Sequence, residues 1–238
     1  MGWELEEVEK TFVEQLAGLK WHHVHGDLDV PSITGRTSFN EVVQESVLRE
    51  RLRNLNLRDG KPWLDDDRIS EAVAAITRPR APKLMEANEE VTSLLFRGIT
   101  VEGLPGWDGG RGQTIRYIDW DAPENNHFTV INQFRVNCPP GFDSAKKFIV
   151  PDLVLLVNGI PLVVVECKSP SVSEPLAEAV DQLRRYSNQR KPAGEVGENE
   201  GSENLFRSVQ LLVATSYDEA RVACIGAAFE HFAQWKTV

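Results

Sequence analysis

Apolar residues recur at helical spacing from the start of the chain. Leu5, Val8, Phe12, Leu16 and Leu19 share one stripe, with Glu4, Glu6, Glu7, Glu9 and Glu14 off it, which predicts an amphipathic helix. Residues 21–26 then read as a short strand closed by Gly26. Ser38-Phe39-Asn40-Glu41 has the form of a capping box and predicts a helix running toward Leu57, stopped by Asp59-Gly60. Two more helices are expected, one over 69–76, broken at Arg78-Pro79, and one from Lys83 carrying Leu84, Val91, Leu94, Leu95 and Phe96.

Beyond Gly98 the period changes from helical to alternating. Strands are predicted over 113–119 and 128–136, joined by the turn-rich Asp121-Ala122-Pro123-Glu124-Asn125-Asn126. Strands over 148–157 and 160–168 follow, then a helix over 175–189. The stretch 193–204 is rich in glycine and glutamate and carries no base, which predicts a mobile loop. Two late strands, 209–215 and 220–225, and a closing helix over 227–235 complete the pattern. The fold class expected is α+β, a mixed sheet flanked by helices. Residues 1–30 supply its first helix and strand, 31–97 a helical insertion or subdomain, and 98–238 the core.

Charge and cysteine content narrow the function classes. The net charge of -10 disfavours nucleic-acid binding through diffuse positive charge, though a bound cation and a local basic strip would still permit it. Cys138, Cys167 and Cys224 lie far apart and form neither a disulfide framework nor a zinc pattern, so a reducing, cytoplasmic setting is expected. The acidic start lacks the regions of a signal peptide. The longest apolar stretch, 153–165, is interrupted by Asn158, Gly159 and Pro161, so no membrane span is expected. The Gly-rich stretch 104–112 lacks the Lys-Ser/Thr of a nucleotide loop. His23 and His25 would share a strand face, but no carboxylate or cysteine at ligand spacing completes a metal site, and polar residues on a half-exposed strand are the simpler reading.

Candidate chemistry gathers in residues 151–168. Two apolar runs meet at Asn158-Gly159, a strong hairpin signal, and their open end carries Asp152, Glu166 and Lys168. Glu166 and Lys168, two apart, project to one face, while Cys167 projects to the other. A strict two-residue turn would set Asp152 opposite Val165 and on the wrong face. A one-residue bulge near 158–161, where Pro161 cannot donate to the ladder, restores a common face. Two carboxylates so arranged suit Mg²⁺, with the Lys168 ammonium beside an attacked phosphate. A structural salt bridge capping the hairpin would use the same three charges, and spacing alone leaves both readings open.

Pro-Asp followed fourteen positions later by Glu-x-Lys resembles the PD-(D/E)xK nuclease signature. The wider context is more specific. Ile118-Asp119-Trp120-Asp121-Ala122-Pro123-Glu124-Asn125-Asn126, Asn132-Gln133-Phe134, the run Val157 through Pro170 and Gln210-Leu211-Leu212-Val213-Ala214-Thr215 together resemble the amino-terminal nuclease region of the restriction (HsdR) subunit of type I restriction–modification enzymes. The resemblance covers residues 98–235 well and the first 97 loosely.

That resemblance implies a restriction-endonuclease-like fold and Mg²⁺-dependent hydrolysis of double-stranded DNA. Asp152 and Glu166 would hold metal, and Lys168 would serve the attacking water and the transition state. It further implies that Gln182-Leu183-Arg184-Arg185-Tyr186 supplies the family's Gln-x-x-x-Tyr element, with Gln182, Tyr186 and Arg185 supporting DNA or the site. An acidic residue on the first helix would complete the metal shell; Glu9 is the choice, though other glutamates crowd the same stretch. Cys167 stands where the family more often has an aliphatic residue and is read as a filler, not a nucleophile. Methyltransferase and specificity subunits would be partners, and ATP would be used by a motor that this chain lacks, so an amino-terminal fragment is expected. A stand-alone nuclease, or a non-cleaving DNA-binding or subunit-docking module working through residues 31–100, are the alternatives.

Overall fold

The structure, a computed structural model, describes residues 8–106, 110–139, 147–190 and 200–236. Helix α1 (Lys10–Gly18) leads into strand β1 (His22–His25). Helices α2 (Glu45–Leu55), α3 (Asp66–Thr77) and α4 (Leu84–Arg97) follow, with the small hairpin β2 (Leu57–Arg58) and β3 (Lys61–Pro62) after α2. Then come β4 (Ile99–Val101), β5 (Gln113–Ile115), β6 (Phe128–Asn132), β7 (Val136–Asn137), β8 (Phe148–Ile149), β9 (Leu153–Val157) and β10 (Ile160–Cys167). Helix α5 (Pro175–Tyr186), the short α6 (Glu203–Phe206), β11 (Leu211–Ser216), β12 (Glu219–Ala223) and β13 (Ala233–Gln234) complete the order.

Seven strands form one mixed sheet in the order β1-β6-β9-β10-β11-β12-β13. The β1–β6 and β10–β11 pairs are parallel and the rest antiparallel. Alternation along the central strands divides the core. Val130, Leu153, Leu155, Val165, Cys167 and Val213 face α1, where Val8 and Val13 cover them. Ile131, Val154, Leu156, Val164, Leu212 and Ala214 face the other way, against Leu176, Ala179, Val180 and Leu183 of α5 and the residues of α2, α3 and α4. The expected α+β class and mixed sheet are therefore observed. Among the described residues no helix is long and apolar enough to cross a membrane.

Several predicted elements differ, each for a tertiary reason. The capping box closes a single turn: the Glu41 carboxylate accepts from the Thr37 amide at 2.8 Å and its hydroxyl at 2.6 Å. The helix itself starts only at Glu45, because Val42 and Val43 are drawn into the core and the Gln44 amide donates to the Gly159 carbonyl at 2.9 Å. The strand expected over 128–136 ends at Asn132, since Gln133 takes a left-handed φ of 53°. The closing helix is replaced by a short 3₁₀ turn (Phe229–His231) and β13, which pairs with the otherwise open edge of β12. The loop expected over 193–204 gives way at its last two residues to the helix Glu203–Phe206, which buries Leu205 and Phe206. The part before Glu200 lies outside the described residues, as do Glu4, Leu5, Glu6 and Glu7.

Candidate active site

The β9–β10 hairpin sets the geometry. Asn158 and Gly159 both have positive φ, 53° and 81°, so the turn is a tight two-residue one with Val157 opposite Ile160. A Cβ on Gly159 would lie 2.7 Å from the Gln44 carbonyl oxygen, so the approach of α2's entry requires glycine here as well. The register then shifts between Pro161 and Val163, leaving Leu162 as the extra residue of a bulge. The bulge falls one residue beyond the span expected from the sequence. Because of it Val165 pairs with Leu153, and one step further Glu166 stands level with Asp152 on the α5 face of the sheet.

Around Glu166 the polar groups are dense and dry. Its side chain is fully buried. The Lys168 ammonium donates to Glu166 Oε1 at 2.8 Å and is itself only 12% exposed. The Gln182 amide donates to the same Oε1 and lies 2.6 Å from the Tyr186 hydroxyl, which donates to the Val150 carbonyl at 3.1 Å. The four-residue spacing on α5 therefore ties Glu166 to the backbone just before β9. Asp152 Oδ2 accepts from the Cys167 amide at 2.7 Å, so the residue between Glu166 and Lys168 fastens the second carboxylate through its backbone. Asp152, Glu166, Lys168, Gln182 and Tyr186 thus meet at one end of the sheet.

Desolvation dominates the electrostatics. Burial, reinforced by the adjacent Asp152 carboxyl, pushes Glu166 well above its ordinary pKa of 4.5, and Lys168 only partly offsets this. Glu166 Oε2 is buried with no hydrogen-bond partner. A carboxylate pair with an undonated oxygen calls for a shared proton or a hard cation, and oxygen ligands of this kind suit Mg²⁺. Among the described residues no group of three or more His, Cys, Asp or Glu side chains is gathered at metal-binding distance, so a cation here would draw mainly on two carboxylates. Burial also raises the Cys167 thiol, followed in effect by Asp152, which leaves it protonated and inert. Tyr186 is raised by burial first and by Glu166 second.

Glu9, the residue before α1, is 4% exposed. Its carboxylate bears on Cys167 and accepts from the Gln133 amide at 3.3 and 3.5 Å. Sequence reasoning assigned no role to Gln133; its only signal was membership of the Asn132-Gln133-Phe134 motif. Arg185 lies over the Tyr186 ring at 4.9 Å with its Nη1 buried and without a hydrogen-bond partner. His23 and His25 do share a face, and both reach Asn132 Oδ1 at 3.0 Å.

The raised Glu166 yields a signed prediction. The folded state keeps a proton that the unfolded chain releases, so Glu166 contributes stability that is fully present below pH 4.5 and is lost as pH rises through its folded pKa. Metal-free Glu166→Gln is therefore expected to melt higher than the parent at neutral pH, with the gap closing toward pH 4. Melting curves across that range check it; a variant less stable at neutral pH would contradict it.

The sequence matches the family described as type I restriction enzyme R protein N terminus over residues 4–225. It is 28% identical over 235 residues to the type I restriction enzyme HindI endonuclease subunit of Haemophilus influenzae, covering 98% of this chain and 20% of that protein. It is 34% identical over 116 residues to the type I restriction enzyme EcoprrI endonuclease subunit of Escherichia coli, covering 48% of this chain and 31% of the relative. The chain thus spans about a fifth of the length of the Haemophilus relative.

Proposed function

This chain belongs to the type I restriction enzyme R protein N terminus family, and from that membership we propose that it is the DNA-cleaving region of a restriction subunit. The observation that carries the proposal is the meeting of Asp152, Glu166, Lys168 and Gln182 around a buried, undonated carboxylate oxygen. The proposed reaction is hydrolysis of phosphodiester bonds in double-stranded DNA. Asp152 and Glu166 would hold Mg²⁺, and a bound cation would supply polarisation of the scissile phosphate and a lowered pKa for an attacking water. Lys168, fixed on Glu166, directs its ammonium toward the reacting phosphate and offsets the charge that grows there. Gln182 and Tyr186 keep Glu166 from turning away, and Arg185 offers a cation to the DNA backbone. Glu9, held by the Gln133 amide and acting on Cys167, is a further acidic group on the α1 side.

The partners proposed are methyltransferase and specificity subunits, with an ATP-driven motor in the remainder of a full-length subunit and a cytoplasmic setting. A chain of net charge -10 neutralises few phosphates, so DNA must be delivered by the rest of the assembly. On supercoiled plasmid with Mg²⁺, the 238-residue chain alone is expected to nick feebly or not at all, and the assembled enzyme to cut. EDTA should abolish cutting by the assembly. Cutting that persists in EDTA would overturn the cation reading, and efficient cutting by the chain alone would favour a stand-alone nuclease.

A further inference from the structure

We infer that His23, His25 and Asn132 form a second cation site, which takes a divalent transition ion of the nickel or zinc kind and clips the edge strand β1 to β6. This site stands apart from the reading of Asp152 and Glu166 as a Mg²⁺ site. In the sequence, His23 and His25 have no third ligand at a suitable spacing. The sheet supplies one from a residue 107 positions away. That ligand is an amide oxygen rather than a carboxylate, thiolate or imidazole.

The placement follows from register and alternation. β1 is the outermost strand and runs parallel to β6, with His25 paired to Asn132. Val130 faces α1 and Ile131 faces the other way, so Asn132 lies on the α1 face, with His23 and His25 beside it. His23 Nε2 and His25 Nδ1 each lie 3.0 Å from Asn132 Oδ1. Two imidazoles from one strand and an amide oxygen from its neighbour therefore converge.

Their spacing fits a coordination shell. Around a divalent transition ion with ligands at ~2.1 Å, neighbouring ligands stand about 3.0 Å apart in a six-coordinate shell. Both nitrogen–oxygen edges have that length. Neutral imidazole is the commonest protein metal ligand, and it selects transition ions over Mg²⁺. Asn132 is buried in the sheet, whereas His23 and His25 are exposed, so the outer side of the shell is open to water. Without an ion, the ring N–H groups donate to the amide oxygen, which only accepts. To bind one, each neutral ring carries its proton on the other nitrogen, so no net proton leaves and both lone pairs turn inward.

Hydrogen bonding alone does not require the pair. One donor satisfies the amide oxygen, and an exposed imidazole loses nothing by bonding water instead. Both rings nevertheless turn to the same atom. The neighbouring histidines differ. His22 projects to the opposite face, where its ring lies 6.3 Å from that of His127. The Arg51 charge already bears on His127 there and opposes a further cation.

Calorimetric titration of the tag-free 238-residue chain with NiCl₂, in excess Mg²⁺, tests this. One Ni²⁺ per chain is expected to bind and to raise the melting temperature by clipping β1 to the sheet. His23→Ala or His25→Ala, both at exposed positions, should weaken binding at least about tenfold and abolish the rise. Asn132→Asp should tighten binding about tenfold, because a charged oxygen takes the place of the amide oxygen. His22→Ala and Asp152→Asn should keep the parental affinity. Parental affinity in both His23→Ala and His25→Ala, or no binding by the parent, would overturn the site. Binding lost in His22→Ala would place the ion on the opposite face, and binding lost in Asp152→Asn would place it at the carboxylate pair. Either result overturns this inference and leaves the Mg²⁺ reading standing. Unchanged or weakened binding in a folded Asn132→Asp would remove the third ligand and overturn the three-ligand site.

Discussion

In a full-length subunit carrying this chain and assembled with its partners, Lys168→Ala is expected to slow DNA cleavage by about 10³-fold, the cost of losing one preorganised charge at a reacting centre. ATP hydrolysis should stay at the parental rate. The ammonium lies 2.8 Å from Glu166 Oε1 and is nearly enclosed, so neither bulk water nor a distant cation replaces it. Removing it leaves the Gln182 amide donating to Glu166 in a site whose burial already favours the protonated form. Loss of cleavage then has two physical sources, the missing charge at the phosphate and a Glu166 that yields its proton to metal less readily. The second predicts partial recovery at higher pH or higher Mg²⁺ concentration, the first does not, and a pH–rate profile separates them. Cleavage at the parental rate would remove Lys168 from the reaction. A parallel loss of ATPase would mean that this region and the motor are tightly coupled.

The second large effect concerns stability. Asn158→Ala is expected to destabilise the chain by about 4 kcal/mol, from several buried groups left unsatisfied at ~1–3 kcal/mol each. The Asn158 side chain is fully buried. Its Oδ1 accepts from the His127 amide at 2.8 Å, and its Nδ2 donates to the Tyr117 carbonyl at 2.9 Å and to Asn126 Oδ1 at 2.8 Å. Asn126 in turn donates to the Asp119 and Pro123 carbonyls, and Asp119 accepts from the amides of Asp121 and Ala122 and from Asn125. The motif Asp119-Trp120-Asp121-Ala122-Pro123-Glu124-Asn125-Asn126 is therefore a polar lattice fastened to the turn of the β9–β10 hairpin. Asn158→Gly loses the same bonds but relieves the positive φ, so it should be less damaging than alanine by about 1 kcal/mol. Urea unfolding of the three proteins measures both quantities, and a loss under 1 kcal/mol for alanine would show that the lattice does not depend on Asn158.

Much of the hairpin was legible because its signals are local. Asn158-Gly159 marks a turn whose two residues both need positive φ, and Pro161 marks a break in the ladder. Given the turn, only a shift of one residue aligns Asp152 with Glu166, and parity supplied the rest. The five-residue convergence of Asp152, Glu166, Lys168, Gln182 and Tyr186 could be anticipated for that reason, together with the helical spacing on α5. Glu9 was a weaker selection. A helical stripe says which residues face the sheet, not which end of the helix meets the open end of the hairpin.

Other features had no local signal. The helix expected from Ser38 starts at Glu45 because Val42, Val43 and the Gln44–Gly159 bond draw the intervening chain into the core. The closing segment has a mixture of apolar and polar residues that a helix would accept, yet the open edge of β12 offers it unpaired backbone groups and takes it as a strand. Gln133 is the clearest case. Glutamine carries no mark of a left-handed corner, and its reach to Glu9 joins residues 124 positions apart. The sequence by itself determined the α+β class, the hairpin with its bulge, and the shared face of Asp152, Glu166 and Lys168, since periodicity and turn chemistry act over a few residues. Only the tertiary structure decided where α2 begins, that the last segment becomes a strand, and which amide meets which acid, because those outcomes depend on long-range burial and on backbone groups seeking partners that local sequence does not contain.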